Sequence, residues 1–334
     1  MTQVLILSHS DVLASLPPDE CERAMTAVLS DHARGEAFMP LRSMMFPPGA
    51  AGLMGLMPGW RGDQGSDKAV FSLKAICLIR ANPARGLDAH QGIVTLFDGE
   101  TGVPTAVLDA SAITEVRTAA VTASATRALA REDSASLAII GAGVQARSHL
   151  DALMPVRPFD HVRVYAPTEA HARAVIDGAT ASAARAELTI APSAELAVRG
   201  ADVVVVATSA TEPVIKREWL AEGAHVNAIG ASSPNAREID VATVAAAALF
   251  PDSRESLRSE AGEFILATEQ GAISGEDHVR AELGEVLAGL KPGRADDSEL
   301  TLFRSLGLAV EDLAAAELAV ATARANGLGT EVEL

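Results

Sequence analysis

Two kinds of hydrophobic pattern divide this chain. From residue 135 onward, short apolar runs alternate with segments whose apolar positions recur at helical spacing. The runs fall at 137–140, 161–165, about 187–190, 202–206, 224–229 and 247–250. Each suits a buried parallel strand, apolar on both faces. Helical patterns lie between them, around 143–153, 168–178, 193–199 and 239–246. This alternation predicts an α/β fold with a doubly wound parallel sheet. Residues 253–290 read as helical. Leu300 to Asn326 reads as a short segment and then a helix that ends at Gly327.

The earlier part reads differently. Pro17-Pro18-Asp19-Glu20 signals a helix start, Cys21, Met25, Val28 and Leu29 follow at helical spacing, and Gly35 is a stop. Residues 40–60, rich in Pro, Gly and Met, predict short strands broken by turns. Ala69 to Arg80 predicts a strand with Ser72, Lys74, Ile76 and Leu78 on one face and Phe71, Leu73, Ala75, Cys77 and Ile79 on the other. A lysine in such company must be paired or must titrate, unless the strand lies at an edge and the amine reaches water. The pattern leaves both open. A strand from Ile93 to Phe97, a turn at Asp98–Gly102 and a return over Val103–Leu108 follow. Ser111 to Ala130 predicts one long Ala-rich helix, or two with a break near Arg117 and Thr118, Thr118 capping the second. Arg117, just before the alternating part, is placed for a phosphate or a carboxylate, or is a surface charge. Arg42 is equally a solvated loop arginine.

Composition narrows the function. The chain has 334 residues, enough for two domains. Its net charge of −17 repels nucleic acid and anionic membranes, so neither is an expected partner. An anionic ligand must be drawn in by local cations. The two cysteines, Cys21 and Cys77, form no disulfide framework and no metal spacing, and no metal site is expected. No apolar run approaches membrane-spanning length, and the N-terminus lacks a basic segment before an apolar core. The expectation is a soluble, cytoplasmic protein.

The candidate chemistry begins where the first apolar run of the alternating part ends. Gly141-Ala142-Gly143-Val144-Gln145-Ala146 is a G-x-G-x-x-A turn between a strand and a helix pattern. Gly141 allows the tight turn, Gly143 lets backbone N–H groups approach a pyrophosphate, and Ala146 lets the helix pack close to the sheet. The helix N-terminus then faces the phosphates. Thr208-Ser209 and the Ile229–Ser232 loop follow two later strands, at the carboxyl ends where ligands bind in such sheets. NAD sites carry an acid at the end of the second strand, on the ribose 2′-OH. Here that place reads Tyr165-Ala166-Pro167-Thr168. A 2′-phosphate is therefore tolerated, with Thr168, His171 and Arg173 nearby to hold it. NADP(H) is the expected cofactor, with NAD(H) possible.

The chain resembles the ornithine cyclodeaminase/mu-crystallin family. The matching stretches are Ile113-Thr114 with Arg117-Thr118-Ala119-Ala120, then Ile140 to Ala146, then Ala210-Thr211-Glu212-Pro213 and Gly223 to Ser232. Ala281 to Val286, Thr301 to Gly307 and Val310-Glu311-Asp312 match as well. The resemblance implies a homodimer. Residues 1–116 and 307–334 would form an α+β dimerisation and substrate-binding domain, with a Rossmann-type NAD(P)-binding domain, 117–306, inserted into it. It implies that Lys74 is the active-site lysine, that Arg42 and Arg117 hold the substrate carboxylate, and that Ser305 lies near the nicotinamide. Arg117 and Thr118 join the cofactor set by the same route.

Departures from the family pattern bear on the reaction. Cyclodeaminases and archaeal alanine dehydrogenases of the family carry an aspartate where this chain has Ser232. Cyclodeaminases also have an acid where it has Gly55, and their strand-end acid falls at Ala166. A serine cannot act as the base that deamination needs. The resemblance therefore leans to reduction of a small cyclic ketimine acid, Δ1-pyrroline-2-carboxylate or Δ1-piperideine-2-carboxylate, to L-proline or L-pipecolate. The alternatives are an ornithine cyclodeaminase, an amino-acid dehydrogenase of the alanine type, or a non-enzymatic, NADPH-dependent small-ligand binder of the mu-crystallin kind.

Overall fold

The computed structural model describes residues 3–62 and 69–334. The chain opens with β1 (Gln3–Leu7), α1 (His9–Ser15) and α2 (Pro18–Arg34). Then come β2 (Ala37–Phe38), β3 (Ser43–Met45), β4 (Leu53–Arg61), β5 (Val70–Leu78), β6 (His90–Asp98), β7 (Pro104–Asp109) and the long helix α3 (Ala110–Leu129). The alternating part follows as β8 (Ser136–Ile140), α4 (Val144–Leu153), β9 (His161–Tyr165), α5 (Glu169–Asp177), β10 (Glu187–Ile190), α6 (Ala194–Val198), β11 (Val203–Val206) and β12 (His225–Ala228). It continues through α7 (Val241–Ala246), β13 (Ala248–Pro251), α8 (Arg254–Glu260), α9 (Gly262–Glu269), α10 (Leu283–Leu287) and β14 (Thr301–Arg304). Helix α11 (Ala309–Asn326) and β15 (Thr330–Glu333) close the chain. Contacts divide it into two units: one runs to Ala120 and resumes at Gly307, the other spans Val121–Leu306. Among the described residues no helix is long and apolar enough to cross a membrane.

The first unit is built on a mixed sheet in the order β15-β1-β7-β6-β5-β4-β2, with β3 also paired to β4. Pairing is antiparallel except between β1 and β7. Helix α11 packs on β4, β5 and β6, and α1 and α2 pack on α11. That layering explains why α11 is buried nearly all round from Ala309 to Ala316 and why its sequence shows no polar face. Met57, Lys74, Val94 and Leu108 form one cross-strand row on the covered side. The opposite side carries the rows Phe38-Trp60-Phe71-Phe97 and Leu56-Ala75-Ile93. Phe38, Leu56, Phe71 and Ile93 are exposed there, Phe38 at 63%.

The second unit holds a parallel sheet in the order β10-β9-β8-β11-β12-β14-β13. Strand order reverses between β8 and β11, which is where doubly wound sheets bind ligands. Alternate residues feed two cores. Ala138, Ile140, Val204, Val206, Val226 and Leu302 lie in one; Leu137, Ile139, Val162, Val164, Val203 and Val205 lie in the other, under Leu150 and Leu153 of α4 and Val175 of α5. The apolar runs of the sequence are thus strands covered on both faces.

Three expectations are corrected. Helix α3 is unbroken, and Thr118 caps nothing: its hydroxyl donates to the Thr114 carbonyl 2.6 Å away, one turn back. The short segment at residue 301 is an interior strand, β14, too brief and too polar at Arg304 to announce itself. Strand β5 lies between β4 and β6, so Lys74 has no edge from which to reach water.

Candidate active site

In the first unit, β5 delivers Lys74 to the covered face of the sheet, where it is 3% exposed. Its Nζ donates to Thr114 Oγ1 at 2.6 Å and to Asp312 Oδ1 at 3.0 Å. The Thr114 hydroxyl can accept because its own proton goes to the Ala110 carbonyl. Arg117 is buried too, not a surface charge. Its Nε donates to the same Asp312 Oδ1 at 3.0 Å and its Nη1 to Glu311 Oε2 at 2.7 Å. Asp312 Oδ2 is buried with no hydrogen-bond partner among the described residues.

Gly307 ties the two arginines together. Its carbonyl accepts from Arg42 Nη2 at 2.7 Å. Its φ is +82°, and a Cβ there would stand 2.8 Å from Arg117 Nη2, so glycine is required on both counts. Arg42, Lys74 and Arg117 are therefore brought into one neighbourhood. Burial lowers the Lys74 amine to about 8; Asp312 works against that, and the charges of Arg117 and Arg42 add to it. Such an amine is charged at neutral pH and gives up its proton just above it, as an acid–base group requires.

In the second unit, β8 ends at Ile140 and Gly141 turns with φ +128°. A Cβ on Gly141 would collide with the Ala207 carbonyl at the end of β11. Gly143 is the N-cap of α4, with no side chain bonded across the helix end, and a Cβ built there meets nothing within 4 Å. Ala146 is fully buried against the sheet. An open space over a helix N-terminus, floored by glycine, fits the pyrophosphate of a nicotinamide dinucleotide. Ala142, Val144 and Gln145 complete that turn. At the end of β9, Ala166 is buried and Thr168 is the N-cap of α5. Arg173 pairs with Glu169 across one turn of α5 at 3.1 Å, both exposed.

Ser209 and Ser232 are exposed, while Ser305 is buried just beyond β14, its N–H on the Ala228 carbonyl. Ile229 is buried beneath its loop. Behind these loops lies Glu238, which the sequence reading did not single out. Its Oε1 accepts from Thr208 N at 2.7 Å and Thr208 Oγ1 at 2.8 Å, and its Oε2 from Gly230 N at 2.6 Å and Ala231 N at 3.0 Å. Burial pushes its carboxyl up to about 7, against the pull of Arg304 and of these donors. Asp312, Glu311 and Thr114 were likewise assigned no role. A buried lysine demands a carboxylate, but the acids of α11 read as ordinary first-turn residues.

A model of the ornithine cyclodeaminase/mu-crystallin family matches residues 2–326. The chain belongs to that family. Ketimine reductase mu-crystallin of Mus musculus is 37% identical over 303 residues, covering 91% of this chain and 90% of the mouse protein. The Thermococcus litoralis Δ1-pyrroline-2-carboxylate reductase, solved with NADH and L-proline, is 35% identical with a TM-score of 0.92, covering 98% of this chain and all of that one. An archaeal alanine dehydrogenase dimer with bound NAD is 33% identical with a TM-score of 0.91, covering both chains fully. This family member is an NAD(P)H-dependent oxidoreductase.

Proposed function

We propose that the protein reduces Δ1-pyrroline-2-carboxylate or Δ1-piperideine-2-carboxylate to L-proline or L-pipecolate. The observation that carries this reading is the buried Lys74 amine, poised at about 8 beside Asp312, Arg117 and Arg42. A cyclic ketimine acid is a planar anion with a C=N bond. Arg42 and Arg117 suit its carboxylate, since guanidinium groups bind carboxylates in a flat fork. Lys74 Nζ orients the ring and gives its proton to the imine nitrogen, directly or through a water, and a protonated imine is the better hydride acceptor. Asp312 keeps the amine charged until that transfer. Thr114 fixes the direction of one N–H. The dinucleotide supplies the hydride when bound.

Arg117, Thr118, Gly141–Ala146, Thr208, Ser209, Ile229–Ser232 and Ser305 are proposed to hold the dinucleotide, with Thr168 and Arg173 at the ribose 2′ position. The absence of an acid at Ala166 supports a preference for NADP(H). Ser232 and Gly55, where cyclodeaminases carry acids, leave no base for releasing ammonia and support reduction over deamination. The exposed apolar rows on the outer side of the first sheet support a homodimer closed through that face; sedimentation showing a stable monomer would overturn this. The two free cysteines fit a reducing, cytoplasmic setting.

The test is NADPH oxidation with Δ1-piperideine-2-carboxylate, alongside Lys74→Ala. Turnover by the wild type, lost by about a hundredfold or more in Lys74→Ala with NADPH affinity unchanged, is the expected result. Ammonia release from ornithine with NAD+, or turnover of pyruvate with ammonia in place of the ketimine, would replace the reading. NADPH binding without turnover of any imine would leave a binding protein.

A further inference from the structure

The loops after β11 and β12 are tied together from behind. Glu238 sits between them with its side chain 1% exposed. Its backbone is anchored independently: its carbonyl accepts from Val214 N at 2.9 Å, and the adjacent Ile239 bridges to Ile215. One carboxylate oxygen takes the amide and hydroxyl of Thr208; the other takes the amides of Gly230 and Ala231. A Cβ on Gly230 would strike the backbone of Thr208, so the two loops already touch at that point. The second loop is gripped from its carbonyl side as well. Arg304 donates to the Ala231 carbonyl, to the Ala228 carbonyl at 3.1 Å and to the Ser305 carbonyl at 2.7 Å, and is itself paired with buried Glu263. With these backbone groups bonded inward, Ser209 and Ser232 are left presented outward.

We propose that Glu238 is a positioning residue that fixes the spacing of the Thr208–Ser209 and Ile229–Ser232 loops and thereby sets the affinity for the nicotinamide half of the cofactor. The proposal rests on the reading that these loops meet the nicotinamide. It separates the dinucleotide site into two parts with different supports. The adenine and pyrophosphate half depends on Gly141–Ala146, to which Glu238 makes no hydrogen bond among the described residues. The two nicotinamide-side loops are joined by a buried carboxylate that accepts on both of its oxygens. Glutamine has the same shape but only one acceptor oxygen. Turned toward Gly230 and Ala231, it leaves the Thr208 amide facing an NH2 group; turned the other way, it leaves two amides so.

The experiment compares calorimetric affinities of NADPH and 2′-phospho-ADP-ribose, which lacks the nicotinamide, for the wild type and Glu238→Gln at pH ~8.5, above the Glu238 value of about 7, where the carboxyl is ionised. NADPH affinity should fall by about tenfold or more, the scale of a hydrogen bond to a charged group lost in a buried site. Affinity for 2′-phospho-ADP-ribose should hold within about twofold. Equal losses for both ligands, or no loss for NADPH, would overturn the proposal. A wild type that binds the two ligands equally removes the premise instead, because the loops then contribute no nicotinamide contact. Amide exchange in the cofactor-free wild type gives a reading that needs no variant. The amides of Thr208, Gly230 and Ala231 should be protected, and rapid exchange there also overturns the proposal.

Discussion

Asp312→Asn keeps the shape of a buried side chain and removes its charge. Lys74 Nζ stands 3.0 Å from Oδ1 and has almost no access to water. A buried ion deprived of its partner costs about 3–5 kcal/mol. Losing a proton is the cheaper response. With the amine at about 8 in the native protein, deprotonation at pH 7 costs about 1.4 kcal/mol, one pH unit of free energy. Lys74 should therefore be neutral at pH 7 in the variant, while Arg117 keeps its pair with Glu311 at 2.7 Å. With the protonated amine as the proposed active form, kcat/KM in the wild type should fall on the alkaline side with a midpoint near 8. In Asp312→Asn that limb should move down by about two pH units or more, with turnover at pH 7 cut by about tenfold or more and partly restored in acid. NADPH absorbance followed from pH ~5 to ~10 reads the profile. The shift between the two proteins is the quantity of interest, since the substrate's own titration cancels in it. An alkaline limb at the same pH in both proteins refutes the claim that Asp312 holds the charge on Lys74.

Ala166→Asp places a carboxylate at the end of β9, where it repels a 2′-phosphate. KM for NADPH should rise by about tenfold relative to that for NADH, and an unchanged ratio would refute a 2′-phosphate site at this strand end. His225 is fully buried and lowered to about 3, first by burial and then by Arg294. A folded value below the unfolded one means that its contribution to stability is complete above pH ~6.5 and is lost as the pH falls, with about 2 kcal/mol gone by pH 5. Urea midpoints at pH 7 and pH 5 should differ less in His225→Gln than in the wild type, and equal differences would exclude His225 as the source of acid lability.

The second unit was the more legible of the two. Its strands are buried on both faces, so Leu137–Ile140 and Val203–Val206 stand out as unbroken apolar runs, and Gly141 and Gly143 mark the turn between strand and helix. Strand β14 was not legible, because it is four residues long and ends in an arginine whose charge is matched by Glu263, far away in the chain. Lys74 was visible as an anomaly but undecided, since strand periodicity cannot tell an interior strand from an edge. Its partner lies 238 residues on, in a helix whose acids have an ordinary reason to be in the first turn. Glu238 shows the same limit: its work is done by hydrogen bonds to backbone amides, and amides leave no trace in side-chain identity.

Strand β5 carries the Lys74 amine on one side and Phe71 and Ala75 on the other, Ala75 lying opposite Leu56 and Ile93 of its neighbours. Unless the proposed homodimer covers it, this face exposes a patch of strands with apolar side chains, the kind of surface on which colloidal aggregation starts. The net charge of −17 acts here. Like-charged copies repel at a distance and slow random encounters, whereas the apolar patch attracts only at contact. Acidity on this protein thus opposes random contact through the patch, and high salt during refolding, which screens the repulsion, should favour clumping.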